Sequence, residues 1–115
     1  MGFSVKLMND VSDGVKGKRN LITDVAGVKV GQVTIDQDDV HSGVTAIVPH
    51  PGNVFRHKVP AASCVINGFG KSVGLVQIDE LGTIETPIVL TNTFAVGTAI
   101  NALTKQNVGS ESRNW

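Results

Sequence analysis

Val28-Lys29-Val30-Gly31-Gln32-Val33-Thr34-Ile35, then a polar run from Asp36 to His41, then Val44-Thr45-Ala46-Ile47-Val48: this stretch decides the fold. Val28, Val30, Val33 and Ile35 alternate with polar neighbours, broken at Gly31, which is the pattern of a strand carrying a bulge or a close backbone approach. Asp36 to His41 holds three acids, but neither the spacing nor the glycine of an EF-hand loop, so it reads as a solvated hairpin turn rather than a calcium site. Val44 to Val48 is the second strand. Pro49 and Pro51 end it, and because each proline pushes its predecessor out of the helical region, Pro49-His50-Pro51-Gly52-Asn53 is a rigid loop.

Working outward, Cys64-Val65-Ile66 is expected as a third strand, stopped by Asn67-Gly68. From Lys71 to Leu81, apolar residues recur at Val73, Val76 and Leu81, with Leu75 and Ile78 between and Asp79 and Glu80 on the other side. That spacing predicts a short helix, with Gly82 as its C-terminal cap. Ile88-Val89-Leu90 is a fourth strand, and Ala95 to Leu103 a second helix rich in small residues. Strand, strand, strand, helix, strand, helix makes an α/β or α+β fold, a mixed sheet packed by helices, with the strand order left open. Residues 1–19 show no sustained period and carry Asp13-Gly14 and Gly17, so they read as a flexible arm ahead of the folded segment.

A chain of 115 residues is one domain at most, and 41% hydrophobic residues is enough to build a core for it. Ten basic and ten acidic side chains cancel, so no global field draws in nucleic acid or an anionic membrane. Lys16, Lys18 and Arg19 lie in a glycine-rich stretch and read as solvated. Cys64, the only cysteine, excludes a disulfide within the chain and is expected as a small core residue. No apolar segment follows Met1 as in a signal peptide, and Lys6 stands where myristoylation after Met1-Gly2 wants Ser or Thr. Nothing approaches the roughly 18 apolar residues of a membrane span. The expectation is a soluble cytoplasmic protein.

Gly70-Lys71-Ser72 has the ending of a phosphate-binding loop, but the glycine such a loop needs five positions earlier is Val65. Gly68 and Gly70 are better read as a tight strand-to-helix turn, whose helix N-terminus could present N–H groups to an anion. His41, His50 and His57 are spaced by neither a helical nor a strand period, no metal-ligand array accompanies them, and no serine elbow offers a nucleophile for them to serve. His50, between two prolines, is either structural or pocket-lining. Thr91-Asn92-Thr93 follows a strand and precedes a helix, where polar residues both cap helices and line sites. Glu85, before Thr86-Pro87, is expected on a solvated loop.

In sequence these segments resemble one family. Asn20-Leu21-Ile22-Thr23-Asp24-Val25-Ala26-Gly27-Val28-Lys29-Val30-Gly31, Ser42-Gly43-Val44-Thr45-Ala46-Ile47 and Pro49-His50-Pro51-Gly52-Asn53 are similar to the opening of the DmpA family. These are the L-aminopeptidase/D-esterases and β-peptidyl aminopeptidases. The likeness continues through Val65-Ile66-Asn67-Gly68-Phe69-Gly70-Lys71, Leu81-Gly82-Thr83-Ile84-Glu85-Thr86-Pro87-Ile88, Thr91-Asn92-Thr93 and Val96-Gly97, covering 20–104 and leaving 105–115 as a divergent tail.

The resemblance implies a layered α/β fold, like that of the ornithine acetyltransferases and partial here, in an enzyme that cleaves itself before a serine or threonine. The new α-amine then acts as base for its own hydroxyl, an acyl-enzyme forms, and an oxyanion hole stabilises the tetrahedral intermediate. It implies no metal or cofactor, a peptide, amide or ester substrate with a free amino terminus, and a homo-oligomer. The family's nucleophile, oxyanion-hole asparagine and amine anchor lie beyond the Thr91–Thr93 region, so none is carried onto this chain. Ser63 and Ser72 flank turns, and Ser110 and Ser112 sit in the tail. Asn67, Gly68, Phe69, Gly70, Thr91, Asn92 and Thr93 are carried over as walls of the site. The expectation is a hydrolase portion, inactive alone, whose partner is the remainder of the enzyme or a companion chain. The competing expectation is a noncatalytic binding or assembly module built on the same front half.

Overall fold

Nine consecutive residue pairs join β1 (Lys29–Gln37) to β2 (Val40–Val48) in one antiparallel ladder, from Lys29 opposite Val48 to Gln37 opposite Val40. The turn between them is only Asp38-Asp39, tighter than the polar run suggested. Asp38 takes φ of 50°, a left-handed conformation that its short polar side chain tolerates better than most. The computed structural model describes residues 14–111. The ladder has no bulge: Gly31 pairs regularly with Ala46, and the space where its side chain would stand is open. β5 (Ile88–Leu90) adds to the other side of β2, also antiparallel, giving the order β1-β2-β5.

Because successive strand residues point to opposite faces, this register sorts the side chains. One face carries Gly31, Val33, Ile35, Val40, Ser42, Val44, Ala46 and Val89; the other carries Val30, Gln32, Thr34, Asp36, His41, Thr45, Ile47, Ile88 and Leu90.

A second sheet has two short strands, β3 (Val59–Pro60) and β4 (Thr83–Ile84), extended by Ala61 N–H donating to the Gly82 carbonyl at 2.8 Å. Neither strand has enough residues to show a period, so the sequence pattern gave no sign of them. The expected strand Cys64-Val65-Ile66 does not form. Its apolar run finds no partner strand among the described residues, and it stays open, with Val65 63% and Ile66 88% exposed. Cys64 is likewise exposed rather than a core residue.

The first helix, α1 (Leu75–Leu81), starts four residues later than its apolar spacing suggests, after Gly74. Leu75 and Ile78 are half-buried, while Val73, Val76 and Leu81 face outward. Gly82 closes the helix as expected: at φ 66° it donates its N–H to the Ile78 carbonyl at 2.7 Å. The second helix, α2 (Val96–Glu111), continues past Leu103, since nothing from Thr104 to Val108 breaks it. The architecture is α+β, with both sheets antiparallel. Among the described residues only Val54, in the loop after β2, is buried. A core of the kind that 41% hydrophobic residues could supply is not assembled around these elements.

Ahead of β1, a 3-10 turn at Ile22–Asp24 is held by one carboxylate. Asp24 accepts from the backbone N–H groups of Arg19 (3.0 Å) and Leu21 (3.3 Å) and from Arg19 Nε (3.1 Å), while Arg19 Nη2 donates to the Thr23 carbonyl. Arg19, assigned to the arm on sequence grounds, is thus tied to the folded segment; residues 1–13 lie outside the described residues. Desolvation opposes ionisation of Asp24, but these donors outweigh it and hold the carboxyl below its ordinary value.

Two outcomes follow. A carboxylate with a depressed pKa contributes stability that is complete above the ordinary carboxylate range and is lost as pH falls through the lowered value. The Arg19 and Leu21 amide resonances should therefore shift together on acidification, and Asp24→Asn should abolish that titration. Gly82→Ala, which forces a Cβ into the left-handed region, should destabilise α1 by about 1–2 kcal/mol, read as loss of amide-exchange protection at Gly82.

Candidate functional site

The Asn67–Gly70 turn is stabilised from within. Asn67 Oδ1 accepts from Phe69 N–H at 2.9 Å, and Gly70 N–H donates to the Gly68 carbonyl at 2.9 Å. Both N–H groups are therefore engaged, and α1 begins only at Leu75. The helix N-terminus therefore does not lie at this turn, where it could have presented N–H groups to an anion.

Thr91-Asn92-Thr93 lies between β5 and α2, and Asn92 organises it. Its Oδ1 accepts from Phe94 N–H and Ala95 N–H, each at 3.0 Å, and Ala95 N–H also donates to the Asn92 carbonyl. Asn92 thereby caps the turn that leads into α2 rather than the first turn of the helix itself. Its Nδ2 meanwhile donates to Ser42 Oγ on β2 at 2.9 Å, a link across fifty positions of sequence that no local pattern could signal. Thr91 is different: its Oγ1 is buried and has no hydrogen-bond partner among the described residues. A buried hydroxyl left unpaired costs about 1–3 kcal/mol, so such atoms are uncommon in a finished structure.

The two segments meet at their ends. Lys71, next after Gly70, places Nζ 5.1 Å from the centroid of the Phe94 ring, next after Thr93. The rings on this side are open, Phe69 at 98% and Phe94 at 92% exposure.

Several other chemically capable groups are occupied elsewhere. His50 Nδ1 accepts from Gly52 N–H at 3.0 Å, which leaves the proton on Nε2, and Nε2 donates to the His57 carbonyl at 2.8 Å. With both nitrogens used, His50 is a loop brace and not a free base. His41 pairs with Asp36 across the exposed hairpin end at 2.5 Å. Ser63 Oγ donates to Asp79 Oδ1 at 2.6 Å, fastening the segment after β3 to α1. Glu85, expected as purely solvated, is half-buried and reaches Lys58 at 3.9 Å. Among the described residues no group of three or more His, Cys, Asp or Glu is arranged around a metal position, and no helix is long and apolar enough to cross a membrane.

An α+β fold with a β1-β2-β5 sheet and a polar Thr-Asn-Thr strand end is the structural class that sequence and coordinates jointly define. The model of peptidase family S58 matches residues 20–114, and the chain belongs to that family. It is similar to the β-peptidyl aminopeptidase BapA of Sphingosinicella xenopeptidilytica, 38% identical over 107 residues, and to BapA of Sphingosinicella microcystinivorans, 36% identical over 99 residues. Those matches cover 84% and 78% of this chain but 26% and 25% of the relatives, so the chain spans about a quarter of their length. Its backbone resembles the crystal structure of the PH0078 protein from Pyrococcus horikoshii OT3, with a TM-score of 0.79 and 51% identity over 84% of this chain and 31% of that one.

Asn92 gives the test of this geometry. Asn92→Ala removes two accepted bonds and one donated bond and should cost about 1–2 kcal/mol. Ser42→Ala removes only the lateral bond and should cost less, about 0.5–1.5 kcal/mol. Equal losses in thermal denaturation would mean that the cap contributes nothing.

Proposed function

We propose that the chain is the N-terminal part of an autoprocessing aminopeptidase that releases N-terminal residues from peptides, amides or esters through an acyl-enzyme. The observation that carries this reading is membership of peptidase family S58 together with aminopeptidase relatives that are about four times longer. The internal chemistry agrees with it. Catalysis by an N-terminal nucleophile requires a hydroxyl beside its own free amine, in reach of oxyanion donors. Among the described residues, the side chains of His41, His50 and Ser63 are engaged in structural bonds instead.

In this reading the nucleophile and its partners come from the remainder of the enzyme or from a companion chain. The Asn67–Gly70 turn and the Thr91–Thr93 strand end form part of the site wall, with Asn92 holding the second of these against β2. The substrate has a free amino terminus, no metal or cofactor takes part, and the working enzyme is a cytoplasmic homo-oligomer.

Rigorously purified chain should not hydrolyse amino-acid p-nitroanilides or esters. Activity should emerge when a chain that begins with Ser or Thr, and that supplies the rest of the family sequence, is present. Turnover by the 115-residue chain alone, confirmed by intact mass, would overturn the proposal.

A further inference from the structure

One face of the hairpin sheet is unsuited to water. Val33, Ile35, Val40 and Val44 stand on it at 67%, 50%, 53% and 42% exposure, and the register sets Val33 directly opposite Val44. Apart from Lys29 at its end, every residue on this face of β1 and β2 is uncharged, whereas the opposite face mixes Val30, Ile47, Ile88 and Leu90 with the Asp36–His41 pair, Gln32, Thr34 and Thr45. Gly31 and Ala46 face each other beside the valines, with open space over Gly31, so the surface is shallow where another layer would come closest. A contiguous apolar patch of this kind, on the order of a few hundred Å², marks an interaction surface in a soluble protein.

Two further observations say what covers it. The same backbone occurs in the PH0078 protein, of which the matched part is only 31%, so two-thirds of that chain is available to surround it. Thr91, the residue after β5, buries a hydroxyl that lacks a partner among the described residues. We infer that the Val33–Val44 face is where the remaining polypeptide of a family S58 enzyme docks, bringing an apolar layer onto the valines and a hydrogen-bonding group to Thr91 Oγ1. This rests on the reading of the chain as part of a longer hydrolase. It adds the surface and the chemistry of the joint.

The test is co-expression with the segment of the PH0078 protein that this chain does not match, using that protein's own matching segment as positive control. The chain should co-purify with the segment, and amide exchange of the unmodified chain should slow across β1, β2 and Thr91. Val33→Lys and Ile35→Lys should each weaken association at least tenfold, while Thr34→Lys, on the opposite face, leaves it unchanged; circular dichroism checks that each variant keeps its strands. Thr91→Val should weaken association more than Thr91→Ser. Association that survives both lysine variants, or that shields the opposite face instead, overturns the docking surface and leaves the hydrolase reading intact. If the control pair associates and this chain does not, both fall. Self-association through the same valines makes a second copy the occupant and overturns the inference as stated.

Discussion

Everything described here hangs on the β1–β2 ladder. Its nine pairs satisfy the backbone N–H and C=O groups of both strands along their shared edge, whatever their side chains touch. β5 is added through three pairs to β2, and Asn92 fixes the start of α2 by bonding back to Ser42 on the same strand. The order of dependence is therefore hairpin, third strand, cap, helix. Hydrogen bonding and burial are separate constraints, and the described residues meet the first without the second: a regular sheet stands with valines bare on one face, and Val54, in a neighbouring loop, is the single buried residue among those described.

That separation explains what the amino-acid order reveals and what it conceals. The hairpin was legible because Val28 to Ile35 alternates, Val44 to Val48 is apolar and the acidic run between them signals a turn, although most of that run is paired strand and the turn takes only two residues. Ile88–Leu90 and the Gly82 cap were legible for similarly local reasons. The Cys64–Ile66 run failed as a strand because apolarity argues for burial of some kind, and a strand needs in addition a neighbour with free backbone groups. Val59–Pro60 and Thr83–Ile84 form a pair because the chain brings them together, with a proline in one of them and no period in either. The early start assigned to α1 came from counting Val73 as part of an inward stripe; the residues that turn inward are Leu75 and Ile78.

The candidate site was legible as segments and not as bonds. Asn67–Gly70 and Thr91–Thr93 stand out as polar or glycine-rich ends of apolar runs. That they approach each other through Lys71 and Phe94 is a product of topology. The same holds for His50, whose position between two prolines left brace and pocket wall as equal readings until both ring nitrogens were seen to be engaged. What the geometry shows of these residues is bonding that holds loops and strand ends in place.

The hairpin also bears on the order of events during synthesis. β1 and β2 are joined by two residues, so their ladder closes a short loop and can form while the rest of the chain is still being made. β5 lies some forty residues further on and reaches β2 only after the intervening loops and α1 have emerged. During that interval β2 has an unpaired edge, and the valines of the hairpin are open to any apolar strand that arrives first. Asp36, Asp38 and Asp39 at the hairpin end place negative charge beside that surface. Repulsion between like hairpins on neighbouring nascent chains would then favour waiting for the partner strand over pairing with the wrong one.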